Sequence, residues 1–337
     1  MQLLRTRAFA RAGLVGNPSD GYQGKTLSII VRNFSAEVVL YEWEDVEVIP
    51  SQEDHSRFRS VRELHRDVKL HGYYGGIRLV KATIKRFVDY CDAQGHQLHD
   101  RNFSIRYSSN IPRQVGLAGS SAIIVATLRA LMDFYDISIP RDVQPSLVLS
   151  VETGELGIAA GLQDRVIQVY GGLVYMDFAR DKAVQRHGYQ CGLYEPLEAV
   201  TLPPLYIAYS ADVGEPTEAF HNNLRARFDQ GEPQVIAAMK KFADLAADAR
   251  DAIQRGQSER LAAIIDENFD TRQSICRLPP EQVEMVEAAR RAGASAKFSG
   301  SGGAIIGTYH DDAMFQQLQN ELEPLGCRLF RPILCEG

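Results

Sequence analysis

The part of the sequence best suited to chemistry is a glycine- and serine-rich stretch at residues 112–122, P-R-Q-V-G-L-A-G-S-S-A, between a predicted strand and a predicted helix. Glycines let a backbone approach a ligand closely. The first turn of the helix offers unpaired N–H groups and the positive end of the helix dipole, and serine hydroxyls add donors or a magnesium ligand. The stretch therefore predicts a loop that binds phosphate.

The same stretch also has an ordinary structural interpretation, in which Ser120 or Ser121 caps the helix that follows. It is not a Walker loop, because no Gly-Lys-Ser/Thr follows its glycines, and it lacks the G-x-G-x-x-G spacing. The phosphate-binding interpretation therefore depends on the rest of the chain.

Two other segments bear on that interpretation. Residues 297–304, K-F-S-G-S-G-G-A, run into the strand-like pair Ile305 and Ile306, and on their own they suit a contact between two backbones as well as a ligand loop. Residues 11–20, R-A-G-L-V-G-N-P-S-D, predict a polar turn between two strand-like runs.

The three segments, in this order and at these separations, resemble the three signature motifs of the GHMP kinases, the family of galactokinase, homoserine kinase, mevalonate kinase and phosphomevalonate kinase. The central family motif is commonly written P-x-x-x-G-L-G-S-S-A, and Ala118 is an extra residue within it. The forms I-P-R-Q-x-G-L-x-G-S-S-A and G-N-P-S-D belong to the glucuronokinase branch, and residues 111–122 and 16–20 match them.

The resemblance implies the roles of individual residues. Asp164 is the implied catalytic base, or the group that orients the acceptor hydroxyl, and Arg11 is implied to lie near the transferred phosphate. In galactokinase-like members, a magnesium-binding Glu precedes a Gly by five residues and the catalytic Asp by twelve. Glu152, Gly157 and Asp164 have the same two spacings. Ser121 and Glu152 are thus the implied magnesium ligands, with Glu155 as a competitor of Glu152. The implied ATP-binding residues are Pro112, Gly116, Leu117, Ala118, Gly119, Ser120, Ser121, Gly300, Ser301 and Gly302.

Each of these residues also has a plainer interpretation. Arg11 could be a surface arginine at a strand end, Glu152 a solvated helical carboxylate, and Asp164 the partner of Arg165 in a salt bridge. Phosphoryl transfer needs a metal-bound triphosphate, positive groups over the γ-phosphate and an acceptor for the proton, and a positioned base contributes about 10²–10⁴ in rate. These plainer interpretations stay open at the level of sequence.

For the sugar site, the resemblance implies Asn17, Asp20, Thr217, His221 and Asn222. The Glu-His pair of galactokinase is replaced by Asn17-Pro18, which argues against galactose. A glucuronate carboxylate needs a cation or several donors. The candidate cations are Lys25, Arg32, Arg113 and Arg225.

The implied activity is ATP- and Mg²⁺-dependent transfer of phosphate to the anomeric hydroxyl of D-glucuronate. An alternative keeps the fold and changes the acceptor to another sugar, a heptose phosphate or a mevalonate-type alcohol. Another alternative is a sensor that binds ATP and sugar without turnover. The joint presence of Arg11, Glu152 and Asp164 argues against a sensor.

The elements predicted around these motifs indicate an α+β fold. A strand pair is predicted over residues 25–40 and a helix from Ile77 to Cys91 that stops at Gly95, and a half-buried strand follows around Phe103. Helical periodicity dominates the second half, after a polar hinge near residues 180–203. The resemblance implies an N-terminal domain like ribosomal protein S5 domain 2 and a ferredoxin-like C-terminal domain, which we place at residues 1–195 and 196–337.

Composition narrows the function classes. The chain has 337 residues, 45% of them hydrophobic, and a net charge of −6, which argues against a protein that coats nucleic acid. The sequence has no uninterrupted run of about 18 apolar residues, so it does not predict a membrane-spanning helix. Five scattered cysteines without zinc spacing predict buried thiols in a reducing compartment. We therefore expect a cytoplasmic protein that uses small molecules. The sequence leaves its oligomeric state open between a monomer and a homodimer.

Overall fold

The computed structural model describes residues 3–50, 75–211 and 218–335, with the backbone alone for 218–223. The strands are β1 (Leu3–Val15), β2 (Lys25–Trp43), β3 (Glu47–Ile49), β4 (Asn102–Ser109), β5 (Leu173–Asp177), β6 (Val184–Arg186), β7 (Tyr189–Cys191), β8 (Leu193–Leu197), β9 (Leu205–Ser210), β10 (Lys297–Phe298), β11 (Ala304–Thr308) and β12 (Cys327–Phe330). The helices are α1 (Gly76–Gln94), α2 (Gly119–Tyr135), α3 (Gln144–Ser150), α4 (Gln163–Tyr170), α5 (Glu218–Asp229), α6 (Pro233–Gln254), α7 (Leu261–Ile275), α8 (Pro280–Arg291) and α9 (Asp312–Leu322).

The first sheet is built around β2. Its strand order is β3-β4-β2-β5-β8, and β1 also pairs with β2. The prediction of a strand pair over residues 25–40 is wrong, because β2 is one strand of 19 residues. The pairing with β1 jumps from Phe9–Ser35 to Ala10–Val31, so the polar residues around Arg32 form a bulge. A bulge absorbs extra residues without ending a strand, and in the sequence it has the same polar signature as a turn.

Small residues on β1 let α2 pack closely on the first sheet. Ala8, Ala10 and Ala12 are fully buried, and the Thr6 hydroxyl donates to the carbonyl of Ala126 in α2 at 2.7 Å. Alternate residues of a strand share one face. The opposite face of β1 therefore carries Arg5, Arg7 and Phe9 before the strand reaches Arg11.

The second sheet has the order β10-β11-β9-β12 and is antiparallel throughout. The helical periodicity predicted for this half is confirmed by α6, α7 and α8, and Pro233 and Pro280 lie in the first turns of α6 and α8. The segment predicted as a polar hinge contains the β6–β7 hairpin and β8, and β8 joins the first sheet. The chain leaves the first sheet at Leu197 and enters the second at Leu205. The prediction of an α+β fold is confirmed.

Two smaller predictions have mixed outcomes. All five cysteines are free, but only Cys91 and Cys191 are buried, and Cys335 is exposed. Within the described ranges, no helix has the length and apolar character needed to cross a membrane.

Candidate active site

The predicted phosphate loop joins β4 to α2 through a left-handed backbone. Gln114, Gly116 and Ala118 have φ values of 57°, 71° and 61°. Ala118 is the N-cap residue of α2, and alanine has no side-chain acceptor for the first N–H groups of the helix. The interpretation in which Ser120 or Ser121 is the N-cap is wrong, because both lie within α2. The positive end of the α2 helix dipole thus lies at this loop, and the N-cap residue has no side-chain oxygen that would offset its positive charge.

The second glycine segment touches the first, backbone to backbone. A Cβ on Gly300 would lie 2.5 Å from the Gly116 carbonyl oxygen, and one on Gly116 would lie 2.9 Å from the Gly302 carbonyl oxygen. The contact between two backbones considered at the sequence level is therefore present. Any larger residue would force the two loops apart.

Arg11 and Asp164 form an ion pair beside these loops. The Arg11 Nε atom lies 2.6 Å from Asp164 Oδ1. The Arg11 Nη1 atom also donates to the Gly116 carbonyl at 2.6 Å and to the Ser299 carbonyl at 3.2 Å. Arg11 is buried, so its interpretation as a surface arginine is wrong. One guanidinium thus connects the carboxylate to both glycine segments.

The charges around Asp164 keep it ionised. Burial alone would raise its pKa, but the guanidiniums of Arg11 and Arg165, with the hydrogen bond from Arg11, outweigh burial and hold the pKa below its ordinary value. The side chain remains 21% exposed. Asp164 is therefore a carboxylate that can accept a hydrogen bond from an incoming hydroxyl group.

Asp164 also has the salt bridge with Arg165 that the plainer interpretation predicted, with Arg165 Nη1 3.4 Å from Asp164 Oδ2. Arg165 in turn pairs with Glu152, whose Oε2 accepts from Arg165 Nε at 2.9 Å. Glu152 is buried, so its interpretation as a solvated carboxylate is wrong. Glu152, Arg165, Asp164 and Arg11 thus form one connected chain of charges.

Gln168 lies one helical turn after Asp164 in α4 and ties that helix to the phosphate loop. Its Nε2 donates to the Phe9 carbonyl at 3.1 Å and to the Ala118 carbonyl at 2.8 Å. Sequence reasoning missed this residue, because a glutamine in an amphipathic helix carries no visible signal of a tertiary contact. The side chain fixes the left-handed N-cap of α2 relative to β1.

Asp20 is a second carboxylate beside Asp164, and its pKa is shifted in the opposite direction. Burial raises the pKa of Asp20 to about 6, and the neighbouring Asp164 carboxylate adds to the rise, against the N–H of Gln163 and the charges of Arg11 and Arg165. Its Oδ2 would lie 2.1 Å from a Cβ on Gly161, so a glycine is needed there. Two neighbouring carboxylates whose pKa values are shifted in opposite directions are typical of catalytic sites.

This electrostatic strain predicts that Asp20→Asn stabilises the folded protein near pH 7.5. Above pH 6 both the folded and the unfolded chain carry an ionised Asp20, and the folded state disfavours that charge. The penalty is absent below pH 3.8 and grows as the pH rises to about 6. Two pKa units correspond to about 3 kcal/mol, which solvent screening of a part-exposed group reduces to about 1–2 kcal/mol.

Thermal unfolding checks this prediction. The melting temperature of Asp20→Asn should exceed that of the native chain by about 2–6 °C at pH 7.5. The difference should shrink at pH 5, because less of the folded-state penalty remains there. A lower melting temperature for the variant at pH 7.5 would show that Asp20 is not strained.

Comparisons with known proteins show the family to which the chain belongs. The family model of the GHMP kinases N terminal domain matches residues 78–172. The family model described as GHMP kinases C terminal matches residues 249–324. Glucuronokinase 1 of Arabidopsis thaliana is 43% identical over 307 residues, which cover 89% of this chain and 83% of that protein. The chain belongs to the GHMP kinase family. Probable glucuronokinase 2 of the same plant is also 43% identical, over 308 residues covering 89% of this chain and 82% of that protein.

A solved structure confirms the two-domain fold of this GHMP kinase. The phosphomevalonate kinase of Streptococcus pneumoniae superposes with a TM-score of 0.76 at 14% identity, over 98% of this chain and all of that one. At that identity the likeness concerns the fold alone. The chain therefore has the fold of the GHMP kinases.

Next to the Arg11–Asp164 pair, this GHMP kinase has buried polar residues that sequence reasoning missed. Lys297 is 1% exposed, and its Nζ donates to the carbonyls of Gly13 at 2.6 Å and Phe298 at 2.8 Å. Burial lowers the pKa of Lys297 well below its ordinary value, helped by the charges of Arg272 and Arg11. Arg272 donates to the carbonyls of Gly300 and Ser301. The one available signal was a single lysine within a run of small and apolar residues.

Asn17, predicted as a sugar ligand, is buried against the same region. Its Nδ2 lies 3.5 Å from the carbonyl oxygens of Phe298 and Gly300, and its carbonyl accepts from Asn268 Nδ2 at 3.3 Å. Among the described residues its Oδ1 has no hydrogen-bond partner. Thr217 lies outside the described residues, as do the side chains of His221 and Asn222.

The structure separates the four candidate cations for a substrate carboxylate. Arg225 Nη1 lies 3.4 Å from the carbonyl oxygen of Gly21, the residue after Asp20. Lys25 pairs with Asp177 at 3.8 Å, and the Arg32 guanidinium stacks on the Phe9 ring at 4.2 Å in a separate groove. Arg113 is exposed on the phosphate loop. The Arg225 side chain thus contacts the turn that carries Asp20, whereas Lys25 contacts that turn through its backbone, which bonds to the Ser19 hydroxyl.

Proposed function

We propose that this GHMP kinase transfers the γ-phosphate of ATP to the anomeric hydroxyl of D-glucuronate, giving glucuronate 1-phosphate and ADP. The observation that carries the reaction type is the Arg11–Asp164 ion pair, held 2.6 Å apart against the Gly116 carbonyl of the phosphate loop. The choice of acceptor rests on the 43% identity with the two Arabidopsis proteins. The reaction is assigned to the cytoplasm, to a monomer or homodimer.

In this reaction Asp164 orients the anomeric hydroxyl and receives its proton as the oxygen bonds to phosphorus. A carboxylate with a lowered pKa is a weak base, but phosphoryl transfer passes through a loose transition state in which the proton leaves late. Positioning of the hydroxyl is then worth more than basicity. The Arg11 guanidinium, buried and fixed by two carbonyls, stabilises the charge on the transferred phosphoryl oxygens.

The proposed nucleotide-binding residues surround the phosphates from both domains. The first turn of α2, from Gly119 to Ser121, presents backbone N–H groups, with Pro112, Leu117 and Ala118 shaping the loop before it. Gly300, Ser301 and Gly302 support the loop by direct backbone contact. Their role is therefore to hold the loop in its binding shape.

Magnesium, when bound, would neutralise charge on the β- and γ-phosphates. The residues present fit such an ion, because Mg²⁺ is held by one or two carboxylates together with phosphate oxygens and water. The Ser121 hydroxyl lies in the first turn of α2, and Glu152 lies in the π-helical turn Val151–Glu155. Glu155 pairs with Lys85 at 2.9 Å and with Arg86 at 3.5 Å, two cations that do not contact Asp164. The connection of Glu152 to Asp164 through Arg165 supports Glu152 over Glu155.

We therefore expect Glu152→Gln to raise the Mg²⁺ concentration needed for half-maximal rate by about tenfold or more, because a neutral amide is a weaker ligand. The matched variant Glu155→Gln should leave that concentration within about twofold of the native value. Both are measured by titrating Mg²⁺ at fixed ATP. If Glu155→Gln shows the larger increase, the assignment of the two glutamates is reversed.

For the sugar site we propose Asp20 and Asn17 on one side and helix α5, with Thr217 just before it, on the other. His221, Asn222 and Arg225 belong to this helix. Arg225 pairs with Asp229 at 2.9 Å, but both side chains are more than half exposed. Such a surface pair is weak, so the guanidinium can turn to a substrate carboxylate at low cost. Arg225 is thus the proposed partner of the glucuronate carboxylate.

Arg225→Gln is expected to raise the KM for glucuronate about tenfold, since a charge-assisted hydrogen bond is lost. The kcat should change by less than about twofold, because the carboxylate lies away from the reacting oxygen. Lys25→Gln removes a charge from the neighbouring candidate and serves as the control, with KM unchanged. An unchanged KM in Arg225→Gln together with a raised KM in Lys25→Gln would move the assignment to Lys25.

A panel of acceptors tests the proposed function itself. ADP release is followed with Mg²⁺ and ATP against glucuronate, galacturonate, galactose, mevalonate and a heptose 7-phosphate, and phosphorus NMR locates the new phosphate on the product. Glucuronate should give the highest kcat/KM and an anomeric phosphate. Turnover of another acceptor with indifference to glucuronate would replace the substrate. Binding of ATP and glucuronate without any turnover would favour a sensor.

A further inference from the structure

A second concave surface lies at the ends of β1 and α4 that are remote from Arg11 and Asp164. This arginine groove has a volume of about 650 Å³ and is lined by Arg5, Arg7, Arg32 and Arg129, beside the ring of Phe9. None of these four arginines contributes to the ion-pair chain of the candidate active site. The groove therefore needs an explanation of its own.

The groove concentrates positive charge in a chain whose net charge is −6. Glu37 pairs with both Arg5, at 3.4 Å, and Arg7, at 2.7 Å. Asp133 acts electrostatically on Arg129, whose pKa is lowered by burial and by the nearby charge of Arg141. Among the described residues, Arg5 and Arg7 thus share the single carboxylate of Glu37. A concave surface with one excess sign of charge attracts counter-ions more strongly than a flat one does.

Two of the guanidiniums are held in fixed orientations. Arg129 donates through Nη1 to the Arg7 carbonyl at 2.6 Å and through Nη2 to the Gln168 carbonyl at 2.9 Å. The Arg32 guanidinium stacks on the Phe9 ring at 4.2 Å. Planar, pre-oriented guanidinium groups match the paired oxygens of phosphate, and little side-chain entropy remains to be lost when an anion binds.

We propose that the arginine groove binds a small metabolite carrying two or more phosphate groups, and that its occupancy changes the rate of phosphoryl transfer. Several closely spaced guanidiniums favour a polyphosphorylated ligand over a single carboxylate. A nearby aromatic ring suits a ligand that also has an apolar face.

The two elements that form the groove also carry the catalytic pair. Strand β1 runs from Arg7 to Arg11 over about 13 Å. Helix α4 runs from Gln168 back to Asp164 over about 6 Å. The Gln168 side chain donates to the Ala118 carbonyl at the N-cap of α2. An anion that draws β1 and α4 together in the groove therefore acts on the Arg11–Asp164 pair and on the phosphate loop.

Calorimetric titration of inorganic pyrophosphate into the full-length protein, without Mg²⁺ or sugar, tests the binding site. The native chain should bind with a Kd of about 1 mM or tighter at low salt. The double variant Arg5→Gln with Arg7→Gln should bind about tenfold more weakly. The control Arg291→Gln with Arg331→Gln removes two arginines of similar exposure and pairing in the other half of the chain, and should match the native Kd.

A variant that is expected to strengthen binding distinguishes loss of the site from simple misfolding. Glu37→Gln removes the carboxylate that competes for Arg5 and Arg7, and should tighten pyrophosphate binding about threefold. Damage to the fold would not strengthen binding. Native-like binding in the Arg5/Arg7 double variant would place the anion elsewhere and overturn the site, as would a failure of the native chain to bind.

The effect on rate is measured with whichever acceptor of the panel is turned over, in excess Mg²⁺. This measurement rests on the proposed kinase activity, whereas the calorimetric binding measurement does not. Pyrophosphate should change kcat about twofold or more in the native chain and in Glu37→Gln. It should have no such effect in the Arg5/Arg7 double variant, each variant being compared with its own rate without pyrophosphate. An equal effect in all chains would show that pyrophosphate acts at the active site and would overturn the coupling.

Discussion

Replacing Asp164 by asparagine is expected to lower kcat by about 10²–10⁴ with little change in the KM values for ATP and sugar. The amide keeps the shape of the side chain, but it cannot receive the proton of the acceptor hydroxyl. It also loses the charge that pairs with Arg11 at 2.6 Å. Initial rates at saturating substrate give kcat, and thermal unfolding confirms that the variant is folded.

Asp177→Asn is the matched control for this variant. Asp177 is also a buried aspartate paired with a cation, Lys25, but it lies in β5 away from the phosphate loop. Its kcat should stay within about threefold of the native value. If Asp164→Asn retained kcat within the same range, Asp164 would have no part in the chemistry.

Arg11→Lys is expected to lower kcat by about 10²–10³, although the charge is conserved. The guanidinium of Arg11 contacts Asp164, the Gly116 carbonyl and the Ser299 carbonyl at the same time. An ammonium group is a compact point charge that cannot reproduce this planar set of contacts. The substitution therefore weakens phosphate stabilisation and loosens the carboxylate together.

The pH profile gives this variant a second signature. The Arg11 guanidinium is a main opponent of burial in keeping the pKa of Asp164 low. With that contact weakened, the Asp164 pKa rises, so the acid limb of kcat/KM moves to higher pH. An acid limb at the native position would show that Arg11 acts on phosphate alone.

A double variant separates a shared role from two independent roles. If Arg11 and Asp164 act as one unit, Arg11→Lys with Asp164→Asn should lose about as much rate as Asp164→Asn alone. Losses that multiply would contradict the unit and indicate separate contributions.

The parts of the fold that were predictable from the sequence are those governed by local patterns. Helix α1 has a clear apolar period and ends at Gly95, which adopts a left-handed conformation with φ of 72°. Strand β2 was predicted as two strands because Arg32 and Asn33 mimic a turn. Only the pairing partner β1 shows that these residues form a bulge. Pairing between distant segments is not encoded in any local period.

The candidate site shows the same division. The three motifs mark the segments that meet, and the structure brings Arg11 and Asp164 together, while their catalytic roles stay predictions. The buried partners depend on tertiary packing and have no motif. Lys297 contacts backbone carbonyls alone, so no complementary charge in the sequence reveals it. Glu152 and Arg165 lie 13 residues apart in two different helical segments, and only the fold buries them against each other.

The contacts of Arg11 with the Gly116 and Ser299 carbonyls can form only late during synthesis of the chain on the ribosome. Arg11 and Ser299 are separated by 288 residues. At about 5–20 residues per second, the arginine waits about 15–60 s before its last acceptor has been synthesised. Until then a strongly charged side chain lacks part of its final environment. Nascent chains shorter than about 300 residues should therefore have no activity, however well their first sheet has formed.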